Sequence, residues 1–237
     1  MTTTLITGAN KGLGRETARR LIEAGHTVYL GSRDPGKGRR AAEELGARHV
    51  VLDVTDEDSV TAAAATIGAA HDGVLDVLVN NAGIEGRTAG NGIVAPADET
   101  VDTLRPLFET NVFGTLRVTH AFLPLLDRSA APVIVNVSSG LGSMALIATP
   151  DAPAGFYPGI AYPASKTAVN MLTVQYAKAF PRMRINSVEP GFTRTDLNGN
   201  TGTQTVEEGA EIIVRMARLG PDGPTGGFFT ASGPVPW

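Results

Sequence analysis

The chain has 237 residues, 42% of them apolar and 19% charged, with a net charge of −4 at pH 7. This composition indicates a globular protein, and the negative charge argues against a nucleic-acid-binding protein. There is no cysteine, which excludes disulfides; no signal peptide and no membrane-spanning apolar run is recognisable, so we expect a cytoplasmic protein.

Short apolar segments alternate with helical patterns along the chain. Strands are predicted at 5–7, 27–31, 50–52, 75–80, 133–137, 184–188 and 227–230. Helices are predicted at 13–24, 36–45, 56–70, 99–126, 165–180 and 206–219, the third capped by Thr55 with Asp58. This alternation predicts an α/β fold of the Rossmann type, a doubly wound parallel sheet of about seven strands with helices on both faces. We expect residues 1–237 to form a single domain.

Two segments do not fit the alternation. Residues 141–160 are rich in Gly, Pro and Ala, and residues 193–205 are rich in Thr, Asn and Gly. Each follows a predicted strand, at the sheet edge where open α/β folds bind ligands, and long irregular segments are usually functional. We interpret them as substrate loops, the second a flexible lid, around an apolar pocket. Its candidate residues are Met144, Leu146, Phe156, Tyr157 and Ile160.

The first strand is followed by a glycine-rich turn, Thr7–Gly14. Gly8, Gly12 and Gly14 suit a tight turn, a close approach to a pyrophosphate and the packing of the next helix. The first amides of that helix would face the phosphates. Residues 1–48 carry nine Lys and Arg against five Asp and Glu, which concentrates positive charge around this turn. The turn therefore predicts a dinucleotide site.

The residues beyond the second strand favour NADP(H) over NAD(H). An NAD site usually has an acidic residue there for the ribose hydroxyls. This chain has Ser32 and Arg33, and Lys11 lies in the turn itself, so two cations are available for a 2′-phosphate. Asp34 is the alternative, because one residue of register would place its carboxylate on the ribose.

Tyr162 and Lys166 are four residues apart, which on one helix places them on the same face. A nearby ammonium favours the phenolate, so we expect Lys166 to lower the pKa of Tyr162 toward neutral pH, where proton transfer is efficient. Pro163 requires the pair to lie in the first turn of the helix.

Five motifs in order resemble the short-chain dehydrogenase/reductase family. They are the Thr7–Gly14 turn (TGxxxGxG), Asp53-Val54, Asn80-Asn81-Ala82-Gly83 (NNAG), Tyr162 with Lys166 (YxxxK), and Pro190-Gly191-Phe192-Thr193-Arg194-Thr195 (PGxxxT). The resemblance implies that Gly8, Asn10, Lys11, Gly12, Leu13, Gly14, Asp53, Val54, Asn81, Ala82, Gly83, Tyr162, Lys166, Pro190, Gly191, Thr193 and Thr195 contact the cofactor.

The resemblance also implies a catalytic tetrad of Asn111, Ser139, Tyr162 and Lys166. A substrate carbonyl oxygen would lie between the hydroxyls of Ser139 and Tyr162, and Tyr162 would donate the proton. That proton would be replenished through the ribose, Lys166 and a water held by Asn111. The longer interval from Ser139 to Tyr162 is similar to that of NADPH-dependent carbonyl reductases, whose inserted segment covers a dimer face. We therefore expect a monomer, with a homodimer as the alternative, and a small-molecule carbonyl or alcohol substrate.

Other interpretations stay open. An alcohol dehydrogenase working in the oxidative direction would carry the same residues. A non-catalytic NADP(H) sensor would share the fold, and a sugar-nucleotide epimerase would also use YxxxK. The four histidines lack ligand-like spacing, so we predict no metal. Trp237, Phe228 and Phe229 are interpreted as residues that pack the C-terminal strand and tail.

Overall fold

The computed structural model describes residues 2–149 and 153–237. Its centre is an eight-stranded sheet in the order β3-β2-β1-β4-β5-β6-β7-β8, in which only β7 and β8 pair antiparallel. The strands are β1 (Thr3–Ile6), β2 (Thr27–Ser32), β3 (Arg48–Val51), β4 (Val77–Asn80), β5 (Val133–Val137), β6 (Arg184–Val188), β7 (Phe228–Thr230) and β8 (Gly233–Pro234). The helices are α1 (Gly12–Glu23), α2 (Pro35–Leu45), α3 (Glu57–Gly68), α4 (Val101–Leu107), α5 (Gly114–Leu126), α6 (Met144–Ala148), α7 (Ala161–Ala179) and α8 (Val206–Ala217).

The central strands are apolar on both faces because helices cover both. Leu5 of β1 and Leu78 of β4 pack on the side of α3, α5 and α7. The next residues along each strand, Ile6 and Val79, pack on the side of α1, α2 and α8. This alternation explains why the strands read as continuous apolar runs, as buried parallel strands do.

The strand order reverses between β1 and β4. The chain runs outward from β1 through β2 to β3, returns to β4 on the other side of β1, and continues to β5 and β6. In open α/β sheets the crevice at such a reversal, outside the carboxyl ends of the strands, is where ligands bind. The glycine turn after β1 and the Asn81–Gly83 segment after β4 both lie there.

The predicted doubly wound fold is confirmed, but the sheet has eight strands where about seven were expected. The additional strand is β8, which pairs antiparallel with β7 through Phe229 with Pro234 and Thr230 with Gly233. A two-residue strand of glycine and proline has no hydrophobic period, so the sequence pattern could not reveal it.

The long helix predicted over 99–126 is a continuous helical stretch over 101–126, but it contains a π-helical turn that was not predicted. The structure has α4, then a π-helical turn (Phe108–Phe113), then α5. Pro106 supplies no backbone N–H within α4, and Asn111 in the widened turn bonds to the backbone of Ile84 outside the helix. Such turns are frequent at functional sites.

Two helix starts also differ from the prediction. Helix α7 begins at Ala161, not at 165, because Pro163 lies in the first turn, where an N–H has no intrahelical partner. Tyr162 is therefore in the first turn, as predicted. Thr55 does not cap α3: Asp56 does, accepting from Asp58 N at 3.0 Å, while the Thr55 hydroxyl donates to Asp53 at 2.8 Å.

The segment 141–160, predicted to be irregular, contains α6. Ser143 caps this helix by accepting from Leu146 N at 3.1 Å, and its hydroxyl donates to the carbonyl of Pro236 at 2.7 Å. The Trp237 ring stacks on Phe228, with centroids 5.6 Å apart, which confirms the packing role expected for both. The Trp237 carbonyl also accepts from Ala145 N at 3.0 Å, so residues 236–237 hold α6 in place. No helix within 2–149 or 153–237 is long and apolar enough to cross a bilayer.

Candidate active site

The glycine turn is built so closely that side chains are excluded at two positions. A Cβ on Gly14 would lie 2.5 Å from Asn81 Nδ2 and 2.9 Å from Ala9 Cα, and a Cβ on Gly8 would lie 3.0 Å from Ala82 Cα. Gly8 also has a φ of 62°, a conformation that favours glycine. The turn therefore needs glycine for its shape and for its approach to β4.

The turn after β1 and the segment after β4 are held together by hydrogen bonds. Asn81 Nδ2 donates to the carbonyls of Thr7 and Gly8, at 2.9 and 3.2 Å. The Thr7 hydroxyl accepts from the backbone N–H groups of Asn81 and Ala82, at 3.0 and 2.9 Å. These bonds fix both walls of the crevice at the point where the strand order reverses.

A cleft of about 1280 Å³ runs along this edge of the sheet. The predicted site residues that line it are Gly8, Asn10, Lys11, Gly12, Leu13, Arg33, Asp53, Val54, Asn81, Ala82, Gly83, Ser139, Tyr162, Lys166, Pro190, Gly191, Thr193 and Thr195. Gly14, Ser32 and Asn111 do not line it. Of the predicted apolar substrate residues, Phe156 and Tyr157 line the cleft, whereas Met144, Leu146 and Ile160 do not.

The end of the cleft beyond β2 presents a cation. Arg33 is exposed and lines the cleft. The hydroxyl of Ser32 does not reach it, because Ser32 is buried and donates to the carbonyl of Asp34 at 2.8 Å. The carboxylate of Asp34 caps α2 by accepting from Gly36 N and Lys37 N, both at 2.9 Å, and Asp34 does not line the cleft.

Lys11 is paired across the mouth of the cleft. Its Nζ lies 2.8 Å from Asp196 Oδ2, in the segment that follows β6, and both side chains are exposed. Lys11 holds the pKa of Asp196 below its usual range. The segment 193–205, expected to be a flexible lid, is tied internally, for example by Asn198 Nδ2 donating to the carbonyl of Thr193 at 2.8 Å. Sequence reasoning missed Asp196, since nothing local links it to Lys11.

Ser139, Tyr162 and Lys166 converge in the middle of the cleft. Tyr162 and Lys166 lie on one face of α7 and are both buried, and Ser139 follows β5. Ser139 and Tyr162 both line the cleft, and an interaction with Ser139 acts to lower the pKa of the Tyr162 hydroxyl. Lys166 Nζ donates to the carbonyl of Val137 at 2.8 Å and lies 5.6 Å from the centre of the Tyr162 ring.

The electrostatics of this group differ from the expectation. Burial raises the pKa of Tyr162 well above its usual value, and Glu85 and then Glu189 add to this rise, while the interaction with Ser139 opposes it. Burial lowers the pKa of Lys166 to about 8. The expectation that Lys166 brings the pKa of Tyr162 down toward neutral is therefore wrong for the structure as it stands: desolvation of the phenolate dominates.

Asn111 joins the π-helical turn to the segment after β4. Its Oδ1 accepts from Ile84 N at 2.9 Å, and its Nδ2 donates to the Ile84 carbonyl at 2.9 Å and to Ser165 Oγ at 3.0 Å. A Cβ on Gly83 would lie 3.2 Å from Asn111 Oδ1 and 3.6 Å from Lys166 Nζ. Asn111 is therefore near Lys166, and its amide is engaged by the chain itself.

Two carboxylates beside the reacting group were missed. Glu189 lines the cleft and accepts from Gly191 N at 3.1 Å, and burial raises its pKa. Glu85 is buried and pairs with Arg87. The only feature of the sequence that could have pointed to these two carboxylates is their position next to the motifs. Glu85 comes two residues after the NNAG motif, and Glu189 comes directly before Pro190. Among the described residues, no group of three or more His, Asp or Glu is placed to hold a metal ion.

Comparison with known proteins gives a consistent result. A family model described as short chain dehydrogenase matches residues 2–206. (+)-Neomenthol dehydrogenase of Capsicum annuum is 33% identical, with 95% of this chain and 94% of that protein covered.

Two solved structures share the whole architecture. Salutaridine reductase from Papaver somniferum has a TM-score of 0.84 and 30% identity, with 98% of this chain and 100% of that chain covered. NADPH-bound carbonyl reductase from chicken fatty liver has a TM-score of 0.84 and 28% identity, with 100% and 99% covered. The chain thus belongs to the short-chain dehydrogenase/reductase family of oxidoreductases.

Proposed function

We propose that this protein is an NADP(H)-dependent reductase of ketones, aldehydes or quinones in which Tyr162 is the general acid. The observation that carries the proposal is the convergence of Ser139, Tyr162 and Lys166 in the cleft that begins at the glycine turn. The names of the similar proteins support a carbonyl or alcohol substrate, since they include a neomenthol dehydrogenase, a salutaridine reductase and a carbonyl reductase.

The residues present fit a dinucleotide. Gly8, Gly12 and Leu13 of the turn line the cleft, and the first turn of α1 carries no acidic residue that would repel a phosphate. Arg33 supplies a cation for a 2′-phosphate, and the nearest carboxylate in sequence, Asp34, is engaged in capping α2. When bound, the cofactor supplies the hydride.

The chain's own residues hold the carbonyl and move the proton. The hydroxyls of Ser139 and Tyr162 are adjacent, so both can donate to one carbonyl oxygen. Because the pKa of Tyr162 is raised, its hydroxyl keeps the proton at neutral pH and is ready to donate it, which favours reduction. Lys166, with a pKa of about 8, is mostly charged at pH 7 and stabilises the phenolate as the proton leaves.

Around this centre we propose that residues 141–160 and 193–205 bound the substrate, that residues 1–237 act as one unit, and that the protein is a monomer. Phe156 and Phe192 are exposed apolar side chains on the lining of the cleft, which suits a largely apolar substrate.

The test is a Tyr162→Phe variant assayed by NADPH consumption against menthone, an aromatic aldehyde and a naphthoquinone. We expect turnover to fall about 10²–10⁴-fold while NADPH binding, followed by fluorescence titration, is retained. The matched control is Tyr176→Phe, on the same helix but stacked on Phe180 away from the cleft. Turnover above about a tenth of wild type in Tyr162→Phe would refute the assigned acid, and NADPH binding with no turnover of any carbonyl by the wild type would favour a sensor.

A further inference from the structure

A buried ion pair lies beside the proposed catalytic tyrosine. Arg87 donates to Glu85 through Nε at 2.8 Å and Nη2 at 3.1 Å, the two parallel bonds of a bidentate pair. A third donor, Arg87 Nη1, bonds to the carbonyl of Asn91 at 2.9 Å. The side chains of Glu85 and Arg87 are 6% and 18% exposed, so the carboxylate is fixed in a site with little water.

Stability alone does not account for this pair. Removing two charges from water costs several kcal/mol per ion, and apolar side chains of similar volume often serve as well or better. Glu85 also lines the cleft that holds Tyr162, so its charge can act on groups of the site.

The Glu85 carboxylate is connected to Tyr162 by direct neighbours. Glu85 and the Tyr157 side chain line the same space, and the centre of the Tyr157 ring lies 6.3 Å from the centre of the Tyr162 ring. Glu85, Tyr157 and Tyr162 also line one small enclosed space of about 10 Å³, which is close to the minimum that one water requires. A fixed negative charge thus borders the same small space as the proposed catalytic phenol.

We propose that Glu85, held by Arg87, is a positioning residue that keeps the Tyr162 hydroxyl protonated and so favours proton donation to a carbonyl over proton abstraction from an alcohol. This inference rests on the proposed function, because it assigns a direction to the acid named there. Glu85 contributes the largest electrostatic rise in the pKa of Tyr162, next after burial.

The other charged groups around Tyr162 do not replace Glu85. Lys166 on α7 is positive and acts in the opposite direction. Glu189, directly after β6, acts in the same direction but contributes less to the raised pKa of Tyr162 than Glu85 does. Glu99, before α4, lines the same small space but accepts from Thr103 Oγ1 at 2.5 Å.

The experiment compares wild type with Glu85→Gln over pH 6–10, measuring alcohol oxidation with NADP⁺ and ketone reduction with NADPH. Oxidation needs the phenolate, and because the pKa of Tyr162 lies above this range, the oxidation rate rises with pH throughout. The midpoint of each profile is therefore taken as the pH at which its oxidation rate equals that of wild type at pH 9. Removing a negative charge makes the phenolate easier to form, and we expect the acidic limb of the oxidation profile to move down by about one pH unit. Ketone reduction should change less, because Tyr162 keeps its proton over this range.

Three variants separate this role from a structural one. Glu85→Asp keeps the charge and should keep the wild-type midpoint even if rates fall. Glu211→Gln, on the exposed side of α8, is the matched control and should leave the profile unchanged. If Glu85→Gln does not fold, the double variant Glu85→Met/Arg87→Met removes both charges and should shift the midpoint in the same direction.

Three outcomes decide between these possibilities. A Glu85→Gln profile that superimposes on wild type, with Tyr162→Phe inactive, would overturn the role of Glu85 and leave the proposed function standing. Full activity of Tyr162→Phe would instead overturn the proposed function. A lowered midpoint in Glu85→Gln with a wild-type midpoint in Glu85→Asp is the result that supports the proposal.

Discussion

Replacing Gly14 by alanine adds one methyl group to the most crowded point of the glycine turn. The new Cβ would lie 2.5 Å from Asn81 Nδ2, 2.9 Å from Ala9 Cα and 3.0 Å from the carbonyl oxygen of Gly8. Two of these three neighbours are backbone atoms, so the contact is relieved only if Asn81 moves and the turn shifts.

The size of the effect follows from those contacts. Overpacking of this kind costs about 1–3 kcal/mol. Moving Asn81 also weakens its bonds to the carbonyls of Thr7 and Gly8, each contributing about 1 kcal/mol. A total near 3 kcal/mol corresponds to a drop in Tm of roughly 6–12 °C for a chain of this size.

Thermal unfolding with and without NADPH is the assay. We expect Gly14→Ala to lower the Tm of the free protein and to lose most of the upward shift that NADPH gives to wild type, because the displaced turn is the proposed phosphate site. Gly220→Ala is the control, since a Cβ there meets nothing within 4 Å. A Gly14→Ala protein with wild-type Tm and a wild-type NADPH shift would refute the close packing of this turn.

Three further predictions concern single side chains. Arg33→Ala should raise the KM for NADPH about 10–100-fold, because one hydrogen bond to a charged group is lost, and should leave the KM for NADH unchanged. Equal effects on the two KM values would exclude a contact between Arg33 and the 2′-phosphate. Lys166→Met should abolish turnover yet raise the free energy of unfolding at pH 7 by about 2 kcal/mol. The pKa of Lys166 is lowered from 10.5 to about 8, which means that burying the charged amine costs about 3 kcal/mol. The variant avoids this cost but loses the hydrogen bond to the Val137 carbonyl, which contributes about 1 kcal/mol. This gain in stability should shrink between pH 8 and 10.5, because over that range the wild-type amine is already neutral in the folded state but still charged in the unfolded state. Urea unfolding of wild type and variant at pH 7 and pH 10 measures the gain. An equal gain at the two pH values would show that the buried charge is not its cause. Asn111→Ala should destabilise the protein by about 2–4 kcal/mol in the same assay, because the backbone N–H of Ile84 is left without its partner, and a loss below 0.5 kcal/mol would show that the amide bonds are not needed.

The parts of the fold that the sequence could predict are those with a local cause. The glycine turn, the buried strands and the first-turn position of Tyr162 each depend on residue types within a few positions. The cap of α3 was misplaced by one residue, from Thr55 to Asp56, because both residue types cap helices well. The strand β8 has too few residues to show a pattern.

The parts of the site that could not be predicted depend on tertiary contacts. The hydroxyl of Ser32 turns into the protein rather than toward the cleft, and no sequence pattern reports that direction. The pKa of Tyr162 rises because burial outweighs the amine four residues away, and burial is a property of the folded chain. Glu85 follows β4 and Glu189 follows β6, and only the folded sheet brings both residues close to the Tyr162 ring.

Residues 236–237 bond to α6, and α6 follows closely after Ser139 in the chain. These last residues therefore help to stabilise the segment that carries Ser139. The Pro236 carbonyl accepts from the residue that caps α6, and α6 begins five residues after Ser139. A truncation after Val235 would therefore remove no group from the cleft, yet it would leave the cap of α6 without its acceptor and Phe228 without its stacking partner. Residues that look like a dispensable tail should be kept in any shortened form intended for kinetic work.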